Sequence, residues 1–277
     1  MFTILGILFI IIICFYYFYR TNKKLTILKT SKLERINNKD NSMILKKSKL
    51  DIINNNNILN NKTCRIDVYT PPLHIIDNRI DCWVDLKTPE LDRINNNINI
   101  IIDELNNILR LKKKWSKWAE YEKDNTPSFF KMSNKEIENR LIENEDHLNT
   151  TSPSWRIFVL KVYGQNVEKY SKYCPKTLEL FKNIDYVYNI GYSCLEPFAS
   201  THLHRDWNDK ILRCHFPLII PEGDCAIYVA NKMEKWVMGE YFIFDDTCHH
   251  VAWNNTDSNR FILIVDIDKE KFKKYLK

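Results

Sequence analysis

No two of the eight cysteines form a C-x-x-C pair, which argues against a structural zinc knuckle. Cys14 sits in an apolar segment, so seven remain elsewhere. That odd number implies no complete disulfide framework and leaves the redox compartment open. A basic stripe interleaved with aromatics is also missing. The net charge of +6 is mild and scattered, which speaks against a nucleic-acid binder. No internal repeat is evident. The features of a cleaved signal peptide (a basic start, a short apolar stretch, a small-residue cleavage site) are absent too.

What is present is 277 residues, 44% hydrophobic and 13% aromatic. That is enough for one catalytic domain with a core, plus a flanking tail. Phe2 to Tyr19 carry no charged side chain. At a rise of about 1.5 Å per residue such a run just spans a hydrocarbon core of about 30 Å. The aromatics Phe15 to Tyr19, followed by Arg20, Lys23 and Lys24, suit a membrane interface. Residues 1–20 are therefore expected to be an uncleaved single-pass anchor. Lys and Arg follow the run and none precedes it, so the positive-inside rule places the catalytic domain on the cytosolic side. Sequons at Asn61, Asn149 and Asn254 point the other way, although chance supplies some in so Asn-rich a chain.

Residues 21–62 read as a polar stalk and 63–277 as the folded domain. Ile98, Ile101, Leu105, Ile108 and Trp115 recur at helical spacing, which predicts an amphipathic helix over 98–118. Shorter helices are expected at 135–147 and 175–182. From Trp155 the texture becomes short runs of aromatic and β-branched residues: 155–163, 186–192, 211–220, 226–230, 240–244 and 261–267. Turn signals such as Pro221-Glu222-Gly223-Asp224 separate them. The expected class is mainly β with flanking helices, a sandwich or jelly roll.

His204-Arg205-Asp206 carries the chemistry. Residues two apart on a strand point to one side, so an imidazole and a carboxylate can share one metal. His250, 46 residues on, can supply a third ligand from another strand. Two histidines and one carboxylate on a face of an octahedron leave three positions for a bidentate 2-oxo acid and O2, as in non-heme Fe(II) oxygenases. Zinc accepts the same ligands, so the triad alone does not fix the metal. Arg260 opens the run FILIVDI and can pair two-pronged with the far carboxylate of 2-oxoglutarate.

These residues carry a resemblance. WRIFVLKVYG at 155–164, CPKT at 174–177, SCLEPFASTHLHRD at 193–206, LRCHFPLIIPEGDCAIYV at 212–229 and the stretch 235–267 resemble the aspartyl/asparaginyl β-hydroxylase family. The resemblance implies a double-stranded β-helix over about 155–268 and an Fe(II)- and 2-oxoglutarate-dependent dioxygenase. It implies His204 and His250 as metal ligands, and Ser193, Arg213, His215 and Arg260 as the residues that hold 2-oxoglutarate. Trp236, Asp245 and Asp246 match framework positions. Asp206 stands where the animal peptidyl enzymes have glycine and is like the HRD of bacterial lipid A hydroxylases, restoring a third ligand. Ile211 stands where the peptidyl enzymes carry an arginine that grips the substrate carboxylate. The expected acceptor is a peptidyl side chain, with a lipid or fatty-acyl chain as the alternative. A non-catalytic jelly-roll binding module is the reading from outside the enzyme class, and the presence of all three ligands and Arg260 argues against it.

Overall fold

The computed structural model describes residues 69–70, 76–117, 133–143, 145–149, 154–206 and 208–275. All fall in the compact unit Ile66–Lys277. The anchor, the stalk and the sequon at Asn61 lie outside the described residues. Among those described, no helix is long and apolar enough to cross a membrane.

Two antiparallel sheets build the domain. The first wound strand, β6 (Val187–Leu195), lies in the large sheet, and β7 (Ala199–Ser200) in the small one. The chain returns to the large sheet as β8 (Ile211–Ile219), then crosses to the small sheet for β9 (Cys225–Val229) and β10 (Lys232–Glu234). It crosses three times more, through β11 (Phe242–Phe244) and β12 (His250–Asn254), to end on β13 (Arg260–Asp268). This alternation is the winding of a jelly roll, with order β11-β8-β13-β6 in one sheet and β10-β9-β12-β7 in the other. The large sheet is extended by β1 (Trp83–Val84) beyond β11, and by β4 (Trp155–Val162), β2 (Trp115–Lys117) and β3 (Glu145–Asp146) beyond β6, while the short β5 (Gln165–Asn166) pairs with β4.

Strands in the middle of the large sheet are covered on both faces, so β8 is buried from Ile211 to Leu218 instead of alternating. Helices pack outside. α1 (Pro89–Asn96) starts on the Thr88 cap, whose hydroxyl accepts from the Leu91 amide, with Pro89 in the first turn. α2 (Ile98–Arg110) buries Ile98, Ile101, Leu105 and Ile108, the predicted stripe. The helix stops short of Trp115. Lys112 takes a left-handed conformation (φ 48°), and the amides of Lys112 and Lys113 turn back to the carbonyls of Leu109 and Ile108. That double bond pattern closes a helix end. Trp115 is instead a fully buried residue of β2, against Phe158 and Phe261.

α3 (Asn134–Glu143) likewise ends before His147, where Glu145 and Asp146 pair with β2. The single-turn α4 (Glu168–Ser171) precedes α5 (Pro175–Leu180), which agrees with expectation. Buried Glu104 of α2 caps α5 by accepting from the amides of Lys176 and Thr177. A last turn of helix, α6 (Lys269–Phe272), follows β13.

Two further features tie the domain together. Cys82 and Cys248 form a disulfide, while Cys174, Cys194, Cys214 and Cys225 are free and buried. Asn254, read from sequence as a sequon, is fully buried, and its amide nitrogen donates to the carbonyls of Leu195, Glu196 and Ser258.

At the same end of the sheets Glu196 is buried against Arg156, 3.2 Å away, and accepts from the amides of Asn149 and Ser154. Removing one member of such a pair strands the other without its counter-charge. Glu196→Ala should cost about 3–5 kcal/mol in urea unfolding. A loss below about 1 kcal/mol, the size of an exposed pair, would show that the corner does not depend on it.

Candidate active site

The cleft between the sheets collects the polar side chains Ser193, His204, Arg213, His215, His250 and Arg260. Period-two alternation explains why. Arg213 and His215 leave β8 on the cleft side, while Leu212, Cys214 and Phe216 leave it towards the core. Arg260, Ile262 and Ile264 do the same on β13, and His250 and Ala252 on β12. The rest of the wall is apolar, from Trp155, Ile227 and Phe244 among others.

His204 and His250 are neighbours across a single antiparallel bridge, exchanging backbone hydrogen bonds of 3.1 and 2.8 Å. Their ring centroids are 4.2 Å apart. Each Nδ1 meets a carbonyl oxygen, that of His202 for one ring and that of Cys248, at 2.8 Å, for the other. A carbonyl only accepts, so both Nδ1 atoms are protonated, and in the neutral ring Nε2 is the nitrogen that carries the lone pair. For His250 that lone pair faces Asp246 Oδ1 at 3.3 Å.

Asp246 is fully buried. Burial lifts its pKa well above the ordinary carboxylate range, with Asp206 and Asp266 adding to the lift against the pull of Arg213. Two acceptors this close call for a proton or a cation between them. Asp206 lies at the rim. Its amide donates to the Asp246 carbonyl, and its Oδ1 accepts from the Asn208 amide. Among the described residues no three side chains converge as a ready-made metal cage. The histidines stand together, and Asp206 is tied to Asp246 through its backbone amide.

Arg213 is committed. Its Nε lies 2.9 Å from Asp266 Oδ1 and its Nη1 2.7 Å from Asp246 Oδ2. Burial opposes its charge, but the two carboxylates outweigh that and hold its pKa above the ordinary value. Arg260 is the contrast. It is 2% exposed, and its polar contact among the described residues is Ser193 Oγ, 3.4 Å from Nη1. Its Nε has no partner among the described residues, and its Cζ lies 4.6 Å from the centre of the Trp236 ring. Burial with no carboxylate at hand brings its pKa down to about 10. Trp236 Nε1 donates to His215 Nδ1 at 3.3 Å, so the His215 proton sits on Nε2, which finds no partner among the described residues. One wall of the cleft thus offers an uncompensated cation and an unused N–H donor side by side.

A family model for aspartyl/asparaginyl beta-hydroxylase matches residues 95–270. The chain belongs to the aspartyl/asparaginyl β-hydroxylase family. Among its relatives is the ornithine lipid ester-linked acyl 2-hydroxylase of Rhizobium tropici, 36% identical over 122 residues, 43% of each chain. The mouse aspartyl/asparaginyl beta-hydroxylase is 32% identical over 128 residues, 44% of this chain and 17% of that one. The match thus spans less than half the length of the curated relatives. Similar solved structures include an oxalate decarboxylase from Lactobacillus farciminis (14% identity, TM-score 0.28, 45% of this chain and 33% of that one) and an ectoine synthase from P. lautus (11%, 0.28, 43% and 67%).

Membership of the β-hydroxylase family agrees with the resemblance carried by the motifs. Two residues read from those motifs as framework hold larger roles in the geometry. Trp236 bridges His215 and Arg260, and Asp246 lies between His250 and Arg213. Their motifs, W-x-x-G-E and FDD, were visible in the sequence. Nothing local showed that their side chains turn inward.

Burial holds the His215 pKa well below the ordinary value, with Arg260 and Arg213 adding to the effect. The folded state therefore keeps His215 neutral while the unfolded chain takes up a proton below about pH 6.5. Stability from this group is present above that pH and lost as pH falls through it. Stability measured from pH 8 to 5 should fall more steeply for the parent than for His215→Gln. Parallel curves would show that His215 does not titrate between the two states.

Proposed function

We propose that this chain is an Fe(II)- and 2-oxoglutarate-dependent hydroxylase. The observation that carries the reading is Arg260, a buried guanidinium facing a cleft with no carboxylate against it among the described residues. A buried charge needs a partner. A dicarboxylic cosubstrate brings one, and the planar fork of arginine suits a two-pronged pair. His215 Nε2–H is the second donor for that molecule, and Ser193 Oγ, which accepts from Trp155 Nε1 at 2.9 Å, fixes the Arg260 fork.

The donor set also fits a divalent cation. His204 and His250 present lone pairs, fixed by their Nδ1 hydrogen bonds, and Asp206 is the acid at the rim that can swing in as third ligand. Asp206 and Asp246 lie side by side with Asp246 Oδ1 facing the His250 lone pair, an acceptor-rich corner that suits a cation. Bound iron with a 2-oxo acid and O2 supplies the oxidising power for inserting oxygen into a C–H bond. The protein holds the cosubstrate at Arg260, keeps His215 neutral as a donor, and lines the cleft with apolar groups that exclude water.

Substrate follows from what the walls lack. Arg213 is neutralised by Asp246 and Asp266, Arg260 serves the cosubstrate, and Ile211 is buried outside the cleft lining. No other arginine or lysine lines the cleft among the described residues. A fatty-acyl C–H therefore suits this cleft better than a peptidyl Asp carboxylate, and an acyl 2-hydroxylase is among the relatives. Similarity to the mouse aspartyl/asparaginyl enzyme keeps a peptidyl acceptor as the second reading. Attachment through residues 2–19 belongs with the lipid reading, since it would hold the cleft near its substrate.

Turnover is tested by mass spectrometry for a product heavier by one oxygen atom, on acyl lipids and Asp-containing peptides with iron, ascorbate and 2-oxoglutarate. Oxygen on peptides alone would reverse the substrate order. His204→Ala and His250→Ala should each abolish 2-oxoglutarate turnover, and retained turnover in both would remove the metal assignment.

Arg260→Ala should raise the 2-oxoglutarate requirement by about 100-fold or more, as expected for a buried carboxylate losing about 3 kcal/mol of pairing. Arg260→Lys should rescue it in part. An unchanged requirement would assign that carboxylate to another residue.

Asp206→Gly separates ligand from bystander. As a third ligand its loss should weaken iron binding about 10-fold or more. Affinity equal to the parent would leave iron to the two histidines.

A further inference from the structure

The turn that delivers His250 is fastened from outside the family-matched residues. Cys82, ahead of residue 95 where that match begins, is bonded to Cys248 across a sequence separation of 166. Both are buried, at 1% and 0% exposure. Around this bond three residues preceding β1, Cys82, Arg79 and Asp77, grip the same turn through hydrogen bonds. The Asp245 amide donates to the Cys82 carbonyl at 2.7 Å. Arg79 pairs with Asp245 at 3.0 Å and donates to Thr247 Oγ1 at 2.7 Å. Asp77 Oδ2 accepts from the His249 amide at 3.1 Å. Within the turn the Cys248 amide donates to the Asp245 carbonyl at 2.9 Å, and the Cys248 carbonyl accepts from His250 Nδ1 at 2.8 Å. The residue that is covalently fastened is therefore the one whose carbonyl sets the ring orientation and tautomer of His250.

We propose that the Cys82–Cys248 disulfide is a positioning device for His250, so that metal affinity at the site depends on the oxidised bond. The proposal rests on the reading of His250 as a metal ligand. An imidazole ring is fixed about its two torsions only as firmly as the acceptor of its Nδ1–H. Here that acceptor belongs to a short turn, and a turn joined covalently to a second segment has far less freedom than one held by hydrogen bonds alone. Acceptors behind ligating histidines typically carry about 10–100-fold in metal affinity. Forming the bond takes two electrons and two protons from the two thiols. A disulfide of the glutathione or protein-disulfide class accepts them by thiol–disulfide exchange. Since both sulfurs are buried, the exchange belongs to folding, before the segment closes over the turn.

The test uses the full chain and Co(II) as the probe, titrated anaerobically and followed through its visible absorption band. The parent should bind, His250→Ala should lose binding, and the purified parent should show one disulfide by mass and thiol count. Cys82→Ser should bind Co(II) about 10-fold or more weakly, with an altered band shape, while far-UV circular dichroism stays that of the parent. Should Cys82→Ser fail to fold, Cys82→Ala, which puts no hydroxyl in the buried position, takes its place with the same expectation. An affinity and band equal to the oxidised parent in either variant, or a purified parent without the bond, overturns the proposal and leaves the metal reading intact. Parent-like binding by His250→Ala would instead overturn the metal reading and the proposal with it.

Discussion

A positive charge is kept inside the sandwich with no fixed counter-charge among the described residues, and the site is arranged around that. Burying a guanidinium costs free energy unless something compensates it. Arg213, on the neighbouring strand, shows the ordinary solution, with carboxylates on two sides. Arg260 has a serine hydroxyl and the face of Trp236 instead. A ring face compensates part of a buried charge, and not all of it. The position of Arg260 is nevertheless fixed: β13 is hydrogen-bonded on both sides, to β6 and to β8, so the first residue of the strand cannot retreat to solvent. The fold supplies the stability that leaves this cation without a carboxylate against it among the described residues.

The histidine pair is built by a different rule. His204 and His250 meet through a single bridge beside regular strands, where the backbone is free enough for the rings to converge on the cleft. Each ring is then locked by a carbonyl two residues before it, a local device that needs no distant partner. Behind His250 stands the chain Asp246, Arg213, Asp266 and Asn189, in which the guanidinium sits between two acids, the asparagine amide donates to the second, and each member holds the next. Such a network is stiff because removing one member exposes the others to burial without a partner.

Much of this was legible in the sequence, for reasons that differ by element. Strands β4, β8, β9 and β13 were readable because buried strands are continuous runs of apolar and aromatic residues bounded by turn residues. The convergence of Arg213 and His215 followed from two-residue alternation, and their motif placed them on one strand. Helix ends were less legible. The apolar spacing of α2 runs on through Trp115, and only a lysine in the left-handed region ends the helix, a position at which glycine would have announced the stop. α1 went unread although Thr88-Pro89-Glu90 is a helix start, because eight residues give too few apolar positions for a period. The pairing of Cys82 with Cys248 is set by tertiary contact alone. The placing of Asp206 beside Asp246 likewise depends on a neighbour 40 residues away in the sequence, which no local pattern encodes.

Strand β8 serves two surfaces at once. Its odd-numbered residues Arg213 and His215 face the cleft, while Leu212, Cys214 and Phe216 face the core, where Phe216 meets Tyr241 and α2 packs alongside. A pleated strand is a stiff plank, and a shift forced on one face is passed to the other. Changes of one methylene among those core residues, or along the inner stripe of α2, therefore reach the cleft without touching it. In a lineage under selection for a new acceptor, the outer helices are a tuning layer in which adaptive substitutions can accumulate while the chemical residues stay as they are.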